Sequence, residues 1–284
     1  MGSKTGALGI LFVAALLWST SGVLVKGLNW NPVAIASARG LVAGLTMSLI
    51  LPGGFRPRKL NRPQVFSGFC LASLSICYVS AIKLTTAANA IVLQYTAPLW
   101  VALLAPWILK EKTSRTDWIF IILIFGGVVL FFQDSLSSEG FWGNILALVS
   151  GLFFGVQALV LRFRNNYLPA GGLILGNYLT FILGLWAWSG PWPGFGDWFI
   201  LILLGVFQMG IPYYLYALAV PRVTSLELVL VTMLEPVVNP VWVYLMYGEK
   251  PGPMALWGGL LVIGPVILWS LLKKRPGSGR GGLS

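Results

Sequence analysis

Histidine does not occur anywhere in this 284-residue chain. Its absence removes His-ligated metal centres, Ser/His/Asp triads and imidazole acid–base chemistry together. Acidic residues are scarce, eight in all. None form the DxxxD-like clusters that hold magnesium beside a pyrophosphate. Charged residues make up only 10% of the chain, against about 25% in an ordinary soluble domain. That is too little charge to cover a soluble surface, so lipid is the expected solvent. The two cysteines, Cys70 and Cys77, share one apolar run. Helical geometry puts them about 10.5 Å apart, beyond disulfide reach, and packing is their expected role. No cofactor and no metal are expected, and a membrane enzyme, like a channel, is a minor alternative.

What the chain does have is apolar length, with 57% hydrophobic residues. A membrane-spanning helix needs roughly 20 such residues. Ten apolar runs meet that description approximately, near 6–25, 32–52, 64–83, 87–109, 117–134, 141–161, 168–189, 197–218, 224–247 and 253–272. The expected fold class is therefore an all-α polytopic membrane protein with ten transmembrane helices. A signal peptide is a poor alternative for the first run, which no A-x-A cleavage site follows.

A net charge of +11 invites a nucleic-acid partner, but the basic residues are confined to short connections between apolar runs. With the N-terminus inside, the inner segments collect 15 Lys and Arg, from Lys4 through Lys112, Arg162 and Arg222 to Arg280. The outer loops hold three, Lys26, Lys83 and Lys250. This positive-inside bias predicts an inner-membrane protein with both termini cytoplasmic. The expected partners are lipids and a small-molecule substrate, not nucleic acid, and a monomer is the expected state. The Gly-rich residues 276–284 read as a disordered tail.

Shifting the chain by 138 residues superposes its two halves. Tyr78 meets Tyr216, Ala81 meets Ala219, Thr86 meets Thr224 and Pro98 meets Pro236. Glu111-Lys112 then meets Glu249-Lys250, and Gly126 meets Gly264. The boundaries are residues 1–139 for the first repeat and 140–275 for the second, each with five runs. Five is odd, so the second copy must enter the membrane upside down. Inverted repeats let a site at mid-bilayer face either side in turn, which is the logic of a transporter. Pro98 and Pro236 interrupt matching runs, and such paired interruptions point to a gate or a site.

These residues, with Ala15-Leu16-Leu17-Trp18-Ser19 in the first run, Arg39 in the second and Leu234-Glu235-Pro236-Val237 in the ninth, resemble the drug/metabolite transporter superfamily. The resemblance is to its ten-helix EamA-type branch, over residues 6 to 272. Within that branch the chain is similar to bacterial amino-acid exporters of the YddG type. The resemblance implies small-metabolite transport, often export, through a cavity between the halves. Phosphorylated cargo needs several cations, and Arg39 and Lys83 are the only basic residues near membrane depth.

Repeat logic puts the first, third, fourth, sixth, eighth and ninth runs around that cavity. The candidate lining is Trp18, Tyr78, Lys83, Gln94, Tyr95, Pro98, Trp100, Phe153, Phe154, Gln157, Tyr213, Tyr214, Tyr216, Glu235 and Asn239. Aromatic walls with a few polar tips suit an amphipathic cargo such as an amino acid, or alternatively a quaternary ammonium or another cationic compound. Trp107, Trp118, Trp142, Trp186, Trp188, Trp192 and Trp198 fall at run ends, where an interfacial belt is the simpler role. Charge inside a bilayer costs roughly 2.5–3.5 kcal/mol and so needs a reason. Glu235 either steadies the backbone loosened by Pro236 or meets a proton or a substrate amine. Arg39 either clamps a substrate carboxylate or braces its helix. Glu227 is expected to pair with Arg222 or stabilise a helix start, and Glu111 and Glu249 to close the fold. Three GxxxG spacings, at Gly40/Gly44, Gly151/Gly155 and Gly172/Gly176, offer weak evidence of tight helix contacts.

Overall fold

The computed structural model describes residues 4–20, 24, 28, 30–52, 60–85, 87–131, 133, 140–163, 169–189, 192–247 and 253–272. Among these, every regular element is helical. The first half contains α1 (Lys4–Trp18), α2 (Pro32–Ile50), α3 (Arg62–Leu84), α4 (Ala87–Gln94), α5 (Ala97–Ile108) and α6 (Arg115–Phe131). The second half contains α7 (Phe141–Arg162), α8 (Ala170–Gly184), α9 (Phe195–Leu203), a π-turn over Leu204–Gly210, α10 (Ile211–Ala219), α11 (Ser225–Thr232), α12 (Glu235–Tyr247) and α13 (Pro253–Leu272). Six described stretches are long and apolar enough to cross a membrane: Pro32–Ile50, Arg62–Ala81, Asn89–Ile108, Phe141–Arg162, Ala170–Ala187 and Phe195–Arg222. Lys4–Trp18 and Leu256–Trp269 are apolar but shorter.

Helix starts follow local chemistry. Asn31 accepts from the Val33 amide, with Pro32 in the first turn, where its missing N–H costs nothing. Asn61 and Gln64 form a reciprocal capping box on α3, and Thr224 and Glu227 form another on α11. Ser114 and Asp117 cap α6. These caps satisfy first-turn amides that have no partner within their own helix.

Glycine sets the helix contacts. Gly40 lies against the Asn177 carbonyl and Thr180, and Gly44 lies under the ring of Tyr178. Gly151 and Gly155 sit on the backbone of Leu93, Gln94 and Ala97, while Gly172 and Gly176 sit on Gln64 and Gly68. All three GxxxG spacings thus mark real contact surfaces. The outward faces carry Leu, Ile and Phe side chains exposed to the surroundings, as lipid contact requires.

The packing repeats when the halves are exchanged. The third run, α3, lies on α7 and α8; its counterpart, the π-turn with α10, lies on α1 and α2. The fourth run, α4 and α5, packs on α7, and the ninth, α11 and α12, packs on α1. Two contacting pairs of helices, α2 with α8 and α6 with α13, also run antiparallel. Ser37 of α2 bonds the Phe181 carbonyl, and further on Ser48 reaches Tyr178. Likewise Asp117 of α6 meets Trp269 of α13, whereas Gly127 meets Gly258 and Leu261.

One end of the bundle is held by charge. Lys4 pairs with Glu227 at 2.5 Å, tying α1 to α11. Arg162 pairs with Glu111 at 3.0 Å and also donates to the Val220 carbonyl, while the Ser225 amide donates to the other Glu111 oxygen. Glu227 therefore pairs with Lys4 rather than Arg222, whose guanidinium instead donates to the Leu218 carbonyl. Leu218 stands one turn back along the chain, within reach of the Arg222 side chain, while Lys4 takes the Glu227 carboxylate. Glu249 lies outside the described residues. At the opposite end, Thr85, Asn89 and Asn144 join α3, α4 and α7 through hydrogen bonds of 2.8–3.1 Å. Trp107, Trp142, Trp186 and Trp192 are exposed, as belt residues are. Trp188 and Trp198 differ, being half-buried in a cluster with Trp30 in which Trp188 donates to Ser37.

Candidate functional site

Two broken helices frame the site. α4 gives way to α5 at Tyr95–Thr96, and α11 gives way to α12 at Met233–Leu234. At both places the last turn tightens, with Thr96 N donating to Leu93 O at 3.2 Å and Leu234 N to Val231 O at 3.3 Å. Pro98 and Pro236 stand in the first turn of the following helix. They do not kink continuous rods, as expected from sequence; they stand at the start of new helices, where a missing amide leaves no gap in the helix that follows. Each proline leaves a carbonyl four residues earlier without its helical donor. For Pro236 that carbonyl belongs to Thr232, and the Tyr95 hydroxyl reaches it at 3.3 Å.

Between the breaks lies a cavity of about 120 Å³. It is small against the roughly 300–1,000 Å³ of drug-sized pockets. Trp18, Tyr78, Tyr95, Phe154, Tyr213 and Tyr216 supply its aromatic wall. Gln94, Gln157, Arg39 and Glu235 supply polar groups, and Pro236 closes one side. Trp18 packs on Tyr213 at 5.2 Å, edge to face, and on Tyr216 at 5.6 Å. The fold thus brings ten of the expected residues, and Arg39, onto one surface from seven separate helices.

Several expected residues stand elsewhere, for reasons of helical rotation. Phe153 is one position from Phe154 and so points about 100° away, where it meets Phe69. Tyr214 is likewise off the face that Tyr213 and Tyr216 share at a spacing of three. Trp100 bonds Thr96 and packs on Gly155, and Pro98 is buried in the α5–α7 contact. The side chains of Lys83 and Asn239 lie outside those described. Five lining residues were not foreseen: Leu74, Ser75, Ile91, Gln208 and Met209. Only Gln208 carried a signal, as a lone amide within an apolar run.

Polar contacts divide the cavity in two. On one side the Tyr95 hydroxyl donates to Glu235 at 3.0 Å. Glu235 opens α12, where the helix dipole favours a carboxylate. On the other side Arg39 donates to Gln208 at 3.5 Å, and Gln208 donates to the Trp18 carbonyl at 3.5 Å. Gln94 is held by Ser150 at 2.8 Å. Arg39 and Glu235 line one cavity without forming an ion pair within 4.0 Å; the pairs present among the described residues are Lys4–Glu227 and Arg162–Glu111. No cluster of three potential metal ligands occurs among the described residues.

Comparison with known proteins agrees with this architecture. The profile of the EamA-like transporter family matches residues 5–133 and, a second time, residues 141–271. An uncharacterized transporter of Archaeoglobus fulgidus is 27% identical over 296 residues, covering 94% of this chain and 98% of the relative. The pseudopaline exporter CntI of Pseudomonas aeruginosa is 24% identical, covering 95% of this chain and 98% of its own. A solved crystal structure superposes with a TM-score of 0.82 at 20% identity, covering 96% of this chain and 100% of that one, so the fold is shared.

Proposed function

This chain belongs to the EamA-like transporter family and is an integral multi-pass membrane protein, and we propose that it exports small amphipathic metabolites, with neutral amino acids as the leading class. One observation carries the choice of cargo. Arg39 and Glu235 stand in one aromatic-walled cavity and are not paired with each other. A zwitterion offers a carboxylate to the first and an ammonium to the second, and its apolar body fits against the rings. The small volume favours such a cargo over a drug-sized one. An exporter among the relatives supports the outward direction.

The mechanism follows from the halves. Ten spans in two inverted repeats of five let the cavity open to each side in turn, as one half rocks on the other. Support comes from the antiparallel course of α2 with α8 and of α6 with α13, and from packing that survives exchange of the halves. The breaks before Pro98 and Pro236 serve as hinges. The end carrying Lys4, Arg162 and Arg222 is the cytoplasmic one in the inner membrane, as the charge bias requires. One chain holds both halves of the pathway, so a monomer suffices.

Purified protein in liposomes, loaded with a panel of amino acids, tests the cargo class. Saturable, protein-dependent flux and counterflow of at least one neutral amino acid are expected; their absence across the panel rejects the class. A second reading, transport of cationic or quaternary-ammonium compounds, is favoured by Glu235 among the rings. It predicts cation flux that Glu235→Gln weakens, and equal flux in the variant would count against it. Flux with and without a pH gradient separates proton coupling from facilitation.

A further inference from the structure

Resting on that transport reading, we propose that the cavity has an acceptor-seeking pole built on Arg39 and oriented by the π-turn residue Gln208. Cargo without a carboxylate is then rejected. Arg39 lies in the middle of α2, at a depth where a cation costs roughly 2.5–3.5 kcal/mol. Such a residue needs partners, and the structure supplies one on one edge. Gln208 accepts from Nη1, and its own amide is steered by the Trp18 carbonyl at the end of α1. On the opposite edge Nε is buried without a hydrogen-bond partner. Nε and Nη2 together form the fork that a carboxylate takes bidentately.

Two other cavity residues carry buried donors in the same condition, Tyr216 through its hydroxyl and Gln157 through its amide nitrogen. Both residues are about 1% exposed. The unpartnered polar atoms here can all donate, while Glu235 accepts from Tyr95 through one oxygen and keeps acceptor capacity for an ammonium. A ligand completes the site by bringing acceptors. An amine lacking a carboxylate leaves these donors unpaired and meets the charge of Arg39, a double penalty that produces selectivity.

Gln208 reaches this position through the π-turn. One wide turn between α9 and α10 rotates the following face by about 100° relative to a continuous α-helix. That rotation allows Gln208 to face Arg39 while Tyr213 and Tyr216 face Trp18.

Liposome flux of labelled L-phenylalanine and L-leucine, with competitors matched in size, tests the assignment. Excess 3-phenylpropionate, which keeps the carboxylate and lacks the amine, is expected to compete. Phenethylamine and isopentylamine, which lack the carboxylate, are expected not to. Gln208→Leu, which frees the guanidinium, and Gln208→Glu, which neutralises it, are each expected to raise KM about tenfold, with kcat within about twofold and melting unchanged. Arg39→Lys keeps the charge without the fork and should raise KM by a similar factor. If the amines compete as well as the acid, or the Gln208 variants keep wild-type KM, this inference falls while transport stands. If neither amino acid moves, the parent reading fails and takes this one with it.

Discussion

The two helix breaks share a backbone and differ in chemistry. At both, a tightened turn precedes a proline in the first turn of the next helix, with matching hydrogen bonds exactly one repeat apart at Thr96–Leu93 and Leu234–Val231. At the first break the residue opening the new helix is Ala97, fully buried; at the second it is Glu235, facing the cavity. Tyr95 of the first break crosses to the second and binds both Glu235 and the Thr232 carbonyl, whereas its repeat counterpart, Met233, is an apolar core residue. Duplication accounts for the likeness of the two breaks, and divergence for the difference in their side chains. On the proposed mechanism two similar joints rock, and only one of them has to hold the cargo.

Making the joints alike in the wrong direction should have the largest effect. Ala97→Glu places an unpartnered carboxylate at a fully buried position, at a cost of about 3–5 kcal/mol. Loss of folded protein in detergent, read by size-exclusion and melting, is the expected result. A variant that melts like wild type would mean that the first break is as open as the second.

Glu235→Gln removes the charge from the other joint and keeps its shape. Amino-acid flux should drop by about one to two orders of magnitude, the worth of a hydrogen bond to a charged group, with little change in melting. Normal flux would reduce Glu235 to a backbone brace. Tyr95→Phe deletes the hydroxyl that links the joints, and a loss of about fivefold in transport efficiency is expected. Met233→Leu, its counterpart, should stay within about twofold. Unequal effects sharpen the contrast, and equal ones erase it.

The prolines should matter least to stability. In a first turn neither proline removes an amide that its own helix needs, so Pro98→Ala and Pro236→Ala should each change stability by under about 1 kcal/mol. Turnover should separate them. An amide restored at position 236 competes with Tyr95 for the Thr232 carbonyl, so Pro236→Ala should slow flux several-fold and Pro98→Ala less. Stopped-flow release from liposomes measures the difference.

Much of this is legible in the order of the residues. Apolar runs, the 138-residue shift and the two prolines follow from residue type and spacing, because helix formation in lipid is forced by backbone hydrogen bonding. The aromatic residues at Trp18, Tyr78, Tyr95, Tyr213 and Tyr216 were recognisable as wall candidates for the same reason that charge and rings are notable at membrane depth. Phe153, Tyr214 and Trp100 were not separable from their neighbours, since a rotation of about 100° per residue decides which ring faces inward. Leu74, Ile91 and Met209 gave no sign at all, being ordinary apolar residues until a cavity forms beside them.

Sequence alone determined that this protein lives in lipid, is built twice over, and carries one arginine and one glutamate at depth. Tertiary structure alone decided which partners those charges and their relatives take: Lys4 with Glu227, Arg162 with Glu111, Gln208 beside Arg39, Tyr95 on Glu235. The physical reason is that hydrophobicity is a property of each segment, whereas helix rotation and the choice of neighbour depend on close packing between distant glycines and aromatic rings.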